Sequence, residues 1–118
     1  MKKISVKLDK SDYRYLCVLL KEIKDAYEDD TTEDYLFNCL LDDMYNRYIK
    51  KVPNIKKGAT AIFSVPEVMF FTGLIIGCIE RGFFDDGNVV LVGSLLLTIK
   101  QQVECAVKED KKVREVMV

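Results

Sequence analysis

Histidine and tryptophan are absent from this 118-residue chain, and proline occurs only at Pro53 and Pro66. Without histidine there is no Ser-His or Cys-His nucleophile pair and no imidazole-held zinc or haem. The usual proton shuttle near neutral pH is missing as well. A surplus of charge is also lacking: 18 Lys+Arg against 19 Asp+Glu leave a formal net charge of -1. Nothing in that balance draws the whole chain toward DNA or an anionic membrane. The four cysteines, Cys17, Cys39, Cys78 and Cys105, form no CxxC pair. Each falls in an apolar helical context, so buried reduced thiols are expected, not a disulfide framework or a zinc site. The start, MKKISVKLDK, has no apolar core of a signal peptide. A cytoplasmic location is expected.

What is present reads as one globular domain over residues 1–118, with 49% hydrophobic and 31% charged residues. Two stretches, Val68–Ile79 and Val89–Ile99, carry no charge on any side. A surface helix shows a polar face to water, so something must cover these two on most sides. Twelve and eleven residues make only about 17 Å of helix each against roughly 30 Å of hydrocarbon. Membrane insertion is therefore not expected.

The local signals predict a mainly α fold: a four-helix bundle with one or two short strands at residues 3–8 and 60–63. Ile4, Val6 and Leu8 alternate with Ser5 and Lys7, the period of a half-buried strand. Asp9 offers an N-cap to a helix over Lys10–Tyr27 with the stripe Leu16, Leu19, Leu20, Ile23 and Tyr27. Thr31 or Thr32 can cap a second helix, Glu33–Lys50. Its apolar stripe is Leu36, Leu40, Leu41, Met44 and Tyr48, with Phe37 alongside, and Pro53 bars further continuation. Ser64-Val65-Pro66-Glu67 has capping-box spacing, and Phe63 and Val68 stand where a hydrophobic staple needs them. The third helix should run to about Arg81, with Gly82 as its terminator. After turn chemistry in Asp86-Gly87-Asn88, a fourth helix is expected from about Val89 to Lys111 with the stripe Val92, Leu96, Ile99, Val103 and Val107. The tail Val113–Val118 reads equally well as helix or edge strand.

A second copy of the chain is the simplest cover for the third and fourth helices, because two-fold homodimers are the commonest oligomers. Gly73 and Gly77 sit four apart on one helix, a spacing that lets another helix approach closely. The expected dimer interface is Phe70, Gly73, Leu74, Gly77, Val92 and Leu96.

The densest charged feature is Asp25–Tyr35. It holds Asp25, Glu28, Asp29, Asp30, Glu33 and Asp34, with Tyr27 and Tyr35 and no basic residue. Such a cluster steers a basic partner, and tyrosine supplies contact area at low entropic cost. Arg47–Lys57 is opposite in sign but has one interleaved aromatic, Tyr48, and no glycine-rich cradle. Nucleic-acid binding is therefore not expected. Glu22-x-x-Asp25 resembles half of the paired carboxylate pattern of all-α nucleotide pyrophosphohydrolases. The nearest candidate for the other half, Asp43-x-x-Asn46, departs from that pattern. No catalytic residue, metal site or cofactor is expected. The reading is a non-enzymatic, inhibitor- or immunity-like interaction module that binds a basic protein through its acidic corner. The alternative is a small-ligand or nucleotide-binding dimer with a pocket lined by Phe70, Phe71, Phe83 and Phe84.

Overall fold

The computed structural model describes residues 1–28 and 30–117. The chain is mainly helical, with four α-helices and a two-stranded antiparallel sheet. In order the elements are β1 (Lys3–Asp9), α1 (Lys10–Ala26), α2 (Thr32–Ile49), a 3-10 turn (Val52–Asn54), β2 (Gly58–Ser64), α3 (Val65–Glu80) and α4 (Asp86–Met117). β1 pairs with β2. The chain divides into two compact units, Leu8–Ala61 and Met1–Lys7 with Ile62–Val118.

In the unit Leu8–Ala61, α1 starts where expected. The Asp9 side chain accepts from the Asp12 backbone N–H at 2.7 Å. Its buried face is Tyr13, Leu16, Cys17, Leu19, Leu20 and Ile23. Thr31, not Thr32, caps α2, its hydroxyl accepting from the Asp34 N–H at 3.1 Å. α1 and α2 pack against each other, and α2 buries Leu41, Met44 and Tyr48. The first two turns of α2 depart from the expected stripe: Leu36 and Phe37 are exposed and Leu40 is half-buried. Periodicity sets which side of a helix is apolar, not how far along it a neighbour extends.

A buried hydrogen bond joins the two helices: the Tyr13 hydroxyl donates to the Tyr48 carbonyl at 2.9 Å. Their rings meet edge to face, 6.2 Å between centroids. Gly58 has no room for a side chain, because a Cβ there would lie 2.5 Å from the Leu8 carbonyl oxygen. Any other residue must push the strands apart.

In the second unit, α3 opens with the complete capping box. The Ser64 hydroxyl accepts from the Glu67 N–H at 3.2 Å, and the Glu67 carboxylate from the Ser64 N–H at 2.7 Å. Phe63 and Val68 are both buried. The helix ends at a Schellman motif: Phe83 N–H donates to the Cys78 carbonyl and Gly82 N–H to that of Ile79. Gly82 takes φ 71°, a left-handed conformation that glycine adopts without steric cost.

α4 begins earlier than expected and ends later. Asp86-Gly87-Asn88 is the first helical turn, not a loop, because the Asp85 carboxylate accepts from the Asn88 N–H at 2.8 Å and acts as the cap. The tail is helical to Met117, with Arg114 paired to Asp110 at 3.1 Å. Val92, Leu95 and Ile99 face the interior, with Leu95 replacing the expected Leu96, which is half-buried. Farther along, the Gln102 amide donates to the Lys7 carbonyl and accepts from the Lys7 N–H, both at 2.7 Å. It imitates a neighbouring strand and satisfies backbone groups that an edge strand would otherwise leave open.

Burial raises the Tyr13 hydroxyl to about 12, with nearby Cys17 adding to the shift and Arg47 opposing it. Burial likewise raises the Cys17 thiol to about 11. Both groups are held neutral, so the stability they contribute is complete below pH 9 and is lost as pH rises through 11 and 12. Unfolding free energy measured by urea denaturation should fall by on the order of 2 kcal/mol between pH 10 and 12 on account of Tyr13. Tyr13→Phe should flatten that decline while lowering stability at pH 8 by about 1 kcal/mol for the lost hydrogen bond. A decline as steep in Tyr13→Phe as in the wild type would show that this hydroxyl does not cause it.

Candidate interaction surfaces

The α1–α2 corner carries the acidic cluster. α1 ends at Ala26, where the Tyr27 N–H still reaches back to the Ile23 and Lys24 carbonyls, and Thr31 starts the next helix. Asp25, Glu28, Asp30 and Glu33 are exposed, and Asp34 and Tyr27 half-buried. Asp29 lies outside the described residues. Asp25 meets Lys21 at 3.8 Å. Among the described residues the carboxylates of Glu28, Asp30, Glu33 and Asp34 have no basic partner. Glu33 and Asp34 lie in the first turn of α2, where the positive end of the helix dipole favours negative charge.

Apolar surface sits within this acidic field. Tyr35 is 58% exposed and Leu36 59%. Phe37 is also exposed but turns an edge toward the Tyr27 ring, 6.4 Å between centroids. The residue that sequence reasoning missed is Leu36, assigned to the helix stripe. Its signal was its place in the first turn, next to Tyr35.

Two of the five basic residues of Arg47–Lys57 are engaged within their own unit. Arg47 pairs with Asp43 at 3.6 Å and lies 5.1 Å over the Tyr48 ring. Lys51 donates to the Thr60 carbonyl at 3.0 Å, while Lys50, Lys56 and Lys57 are exposed. Glu22 and Asp25 both face solvent on α1, so they do not form half of an enclosed carboxylate site.

The other unit shows a second surface. Of the expected interface residues, Gly73 is exposed and Phe70, Leu74, Gly77 and Leu96 are half-buried, while Val92 is fully enclosed and offers nothing to a partner. The outward side of α3 is instead Met69, 68% exposed, with Gly73 and Ile76. That of α4 is Val90, 71% exposed, with Leu91, Ser94 and Leu97. A Cβ added at Gly73 would meet nothing within 4 Å, so its outer side is open to approach. A Cβ at Gly77 would meet the Arg81 guanidinium at 3.6 Å, so its nearest neighbour belongs to the same chain. Of the aromatic residues of the alternative reading, Phe71 and Phe84 are buried, Phe70 is half-buried and Phe83 is exposed.

No protein-family model, curated protein or solved structure matches the chain. Functional inference therefore rests on these surfaces.

By length and composition α4 is able to cross a membrane: its stretch Asp86–Val116 contains a window of mean hydropathy 1.4, 17% of it buried. Among the described residues no group of three His, Cys, Asp or Glu side chains is gathered as a metal would require.

The cysteines depart from expectation in part. Cys17 and Cys78 are buried, whereas Cys39 and Cys105 are exposed. Cys39 lies on the side of α2 away from Leu41, Met44 and Tyr48. Ellman's reagent should titrate two thiols in the folded protein and all four after unfolding. Cys39→Ser and Cys105→Ser should each remove one fast-reacting equivalent; Cys17→Ser should remove none.

Proposed function

We propose that this protein acts by binding another protein, as an inhibitor- or immunity-type module, and that the α1–α2 corner is its contact surface. The observation that carries this reading is the exposure of Tyr35 and Leu36 beside Glu28, Asp30, Glu33 and Asp34, whose carboxylates have no basic partner among the described residues. Charge there steers a basic partner into encounter, and the two apolar side chains supply area that is desolvated on docking. A corner built only to start α2 needs the carboxylates and the Thr31 cap, but gains nothing from an exposed leucine. The absence of histidine supports binding over acid–base chemistry, and four free cysteines suit a reducing, cytoplasmic setting.

Capture of partners on the immobilised chain tests this. Loss of the same partner in Asp30→Asn/Glu33→Gln/Asp34→Asn and in Tyr35→Ala/Leu36→Ala is the expected result. The charge variant should act mainly on association rate and its salt dependence, the apolar variant on dissociation. A partner retained by both variants would remove the corner from the contact.

The outward sides of α3 and α4 support a homodimer. Seven exposed positions on the two helices, Met69, Gly73 and Ile76 with Val90, Leu91, Ser94 and Leu97, carry no charge, and covering each large apolar side chain contributes about 1.5–3 kcal/mol. In sedimentation equilibrium the chain should run at twice its 13.6 kDa mass, and Ile76→Lys/Leu97→Lys should run as a single copy with unchanged helicity. A wild-type chain that stays a single copy at high concentration, or a variant that stays dimeric, would overturn this placement.

A further inference from the structure

The unit Leu8–Ala61 contains a groove that neither the acidic corner nor the α3–α4 surface uses. It runs between α1 and α2 beside the 3-10 turn and is lined by Arg14, Cys17, Val18, Lys21, Tyr45, Ile49 and Val52. Its floor and walls are almost wholly carbon. Cys17 closes the bottom, 2% exposed, and Ile49, Val52 and Tyr45 are half-buried around it. Val18 is 48% exposed, an apolar side chain on the groove wall with no cover of its own.

The rim has one sign of charge. Arg14 is exposed, and among the described residues no carboxylate pairs with it. Lys21 reaches Asp25 only at 3.8 Å, with both side chains more than half exposed. Its ammonium lies 5.8 Å from the centre of the Tyr45 ring. Lys24 lies 5.6 Å from the same ring but is bonded to Asp42 at 2.7 Å. Its charge is spent on that bond, which raises its pKa. The cations left for an incoming anion are Arg14 and Lys21.

We propose that this groove is a binding site for a small amphipathic anion, an apolar chain ending in a carboxylate, with the chain against Val18, Tyr45, Ile49 and Val52 and the carboxylate between Arg14 and Lys21. The groove volume, about 270 Å³, lies near the lower end of small-ligand pockets, roughly 300 Å³, so the ligand is small and decanoate serves as the probe. Charge complementarity decides the class of head group: a cation would face Arg14 and Lys21, and a neutral head would leave Arg14 without a carboxylate and Lys21 with only its long, exposed pair to Asp25. The Cys17 thiol beneath the chain is held protonated by burial, so the association is reversible and not covalent.

The experiment titrates the full chain with sodium decanoate, following backbone amide shifts by NMR, with decanol as the neutral control. Saturable binding of one decanoate per chain is expected, with the largest shifts at Arg14, Cys17, Val18, Lys21, Tyr45, Ile49 and Val52. Decanol should bind more weakly. Arg14→Gln/Lys21→Gln should weaken decanoate by about fivefold to tenfold, since exposed ion pairs are individually modest, and leave decanol unchanged. Val18→Asp should weaken both ligands. Because both rim substitutions are on exposed positions, the charge variant keeps the test decisive even where Val18→Asp disturbs the fold. Shifts centred on α3 and α4, binding without saturation, or equal affinity of the charge variant and the wild type would each overturn the proposal.

Discussion

Two successive helices without charge for twelve and eleven residues oblige this chain to leave hydrocarbon in water. A helix in a small unit can turn only part of its circumference toward an interior. α3 turns Val68, Phe71, Ile75 and Cys78 inward, and α4 turns Val92, Leu95 and Ile99. The remainder of each circumference is still methionine, isoleucine, valine, leucine and glycine. Ends capped at both termini of α3 do not relieve this; they fix it, because a helix held by a capping box and a Schellman motif cannot rotate or fray to hide its outer face. The exposed apolar surface is thus a consequence of strong local helix signals combined with a composition that has no polar side.

The unit Leu8–Ala61 follows the opposite plan. Its helices have one apolar face and one charged face, and its interior is closed by a polar bond, Tyr13 to the Tyr48 carbonyl. That carbonyl belongs to the last turn of α2 and also accepts from the Lys51 N–H at 3.2 Å. The bond pins α1 to α2 and gives the buried Tyr13 hydroxyl its acceptor. Charged groups are left to the outside, where ion pairs such as Lys21 with Asp25 contribute little. Lys24 with Asp42 is the firmer pair, shorter at 2.7 Å and partly screened from water. Among the described residues these pairs leave Arg14 and the carboxylates of Glu28, Asp30, Glu33 and Asp34 without an ion-pair partner, while the chain as a whole is nearly neutral.

Features confined to a few residues were legible in the sequence. The β1 alternation, the Asp9 cap, the Ser64–Glu67 capping box and the Gly82 terminator each depend on neighbours within five positions, and each was found where its spacing put it. Asp86-Gly87-Asn88 was misread for a physical reason: the short polar side chains that favour turns also serve helix starts, and only the Asp85 cap distinguishes the two. Leu36, Phe37, Cys39 and Cys105 were misplaced because periodicity gives an angle and not an extent. The Gln102 clasp on Lys7 spans 95 positions and leaves no local trace. The candidate surfaces divide in the same way. The acidic cluster is contiguous and could be read directly, whereas the groove assembles α1 and α2 residues with Val52 and exists only once the helices pack.

The outward face of α4 bears on what covers it. Its charge-free part runs from Gly87 to Ile99, about 20 Å of helix, roughly two-thirds of the thickness of a hydrocarbon layer. Beyond Lys100 the helix carries Glu104, Lys108, Glu109, Asp110, Lys111 and Lys112, which are distributed around its circumference and have no place in lipid. By length and mean hydropathy the helix is able to cross a membrane, but its charge-free part is shorter than the hydrocarbon layer. A protein surface has no thickness to match. The exposed Ser94 among Val90, Leu91 and Leu97 fits the same account, since a hydroxyl is tolerated at a protein interface where it can find a partner or a water. The homodimer proposed above would cover this uncharged, glycine-bearing patch whatever its length.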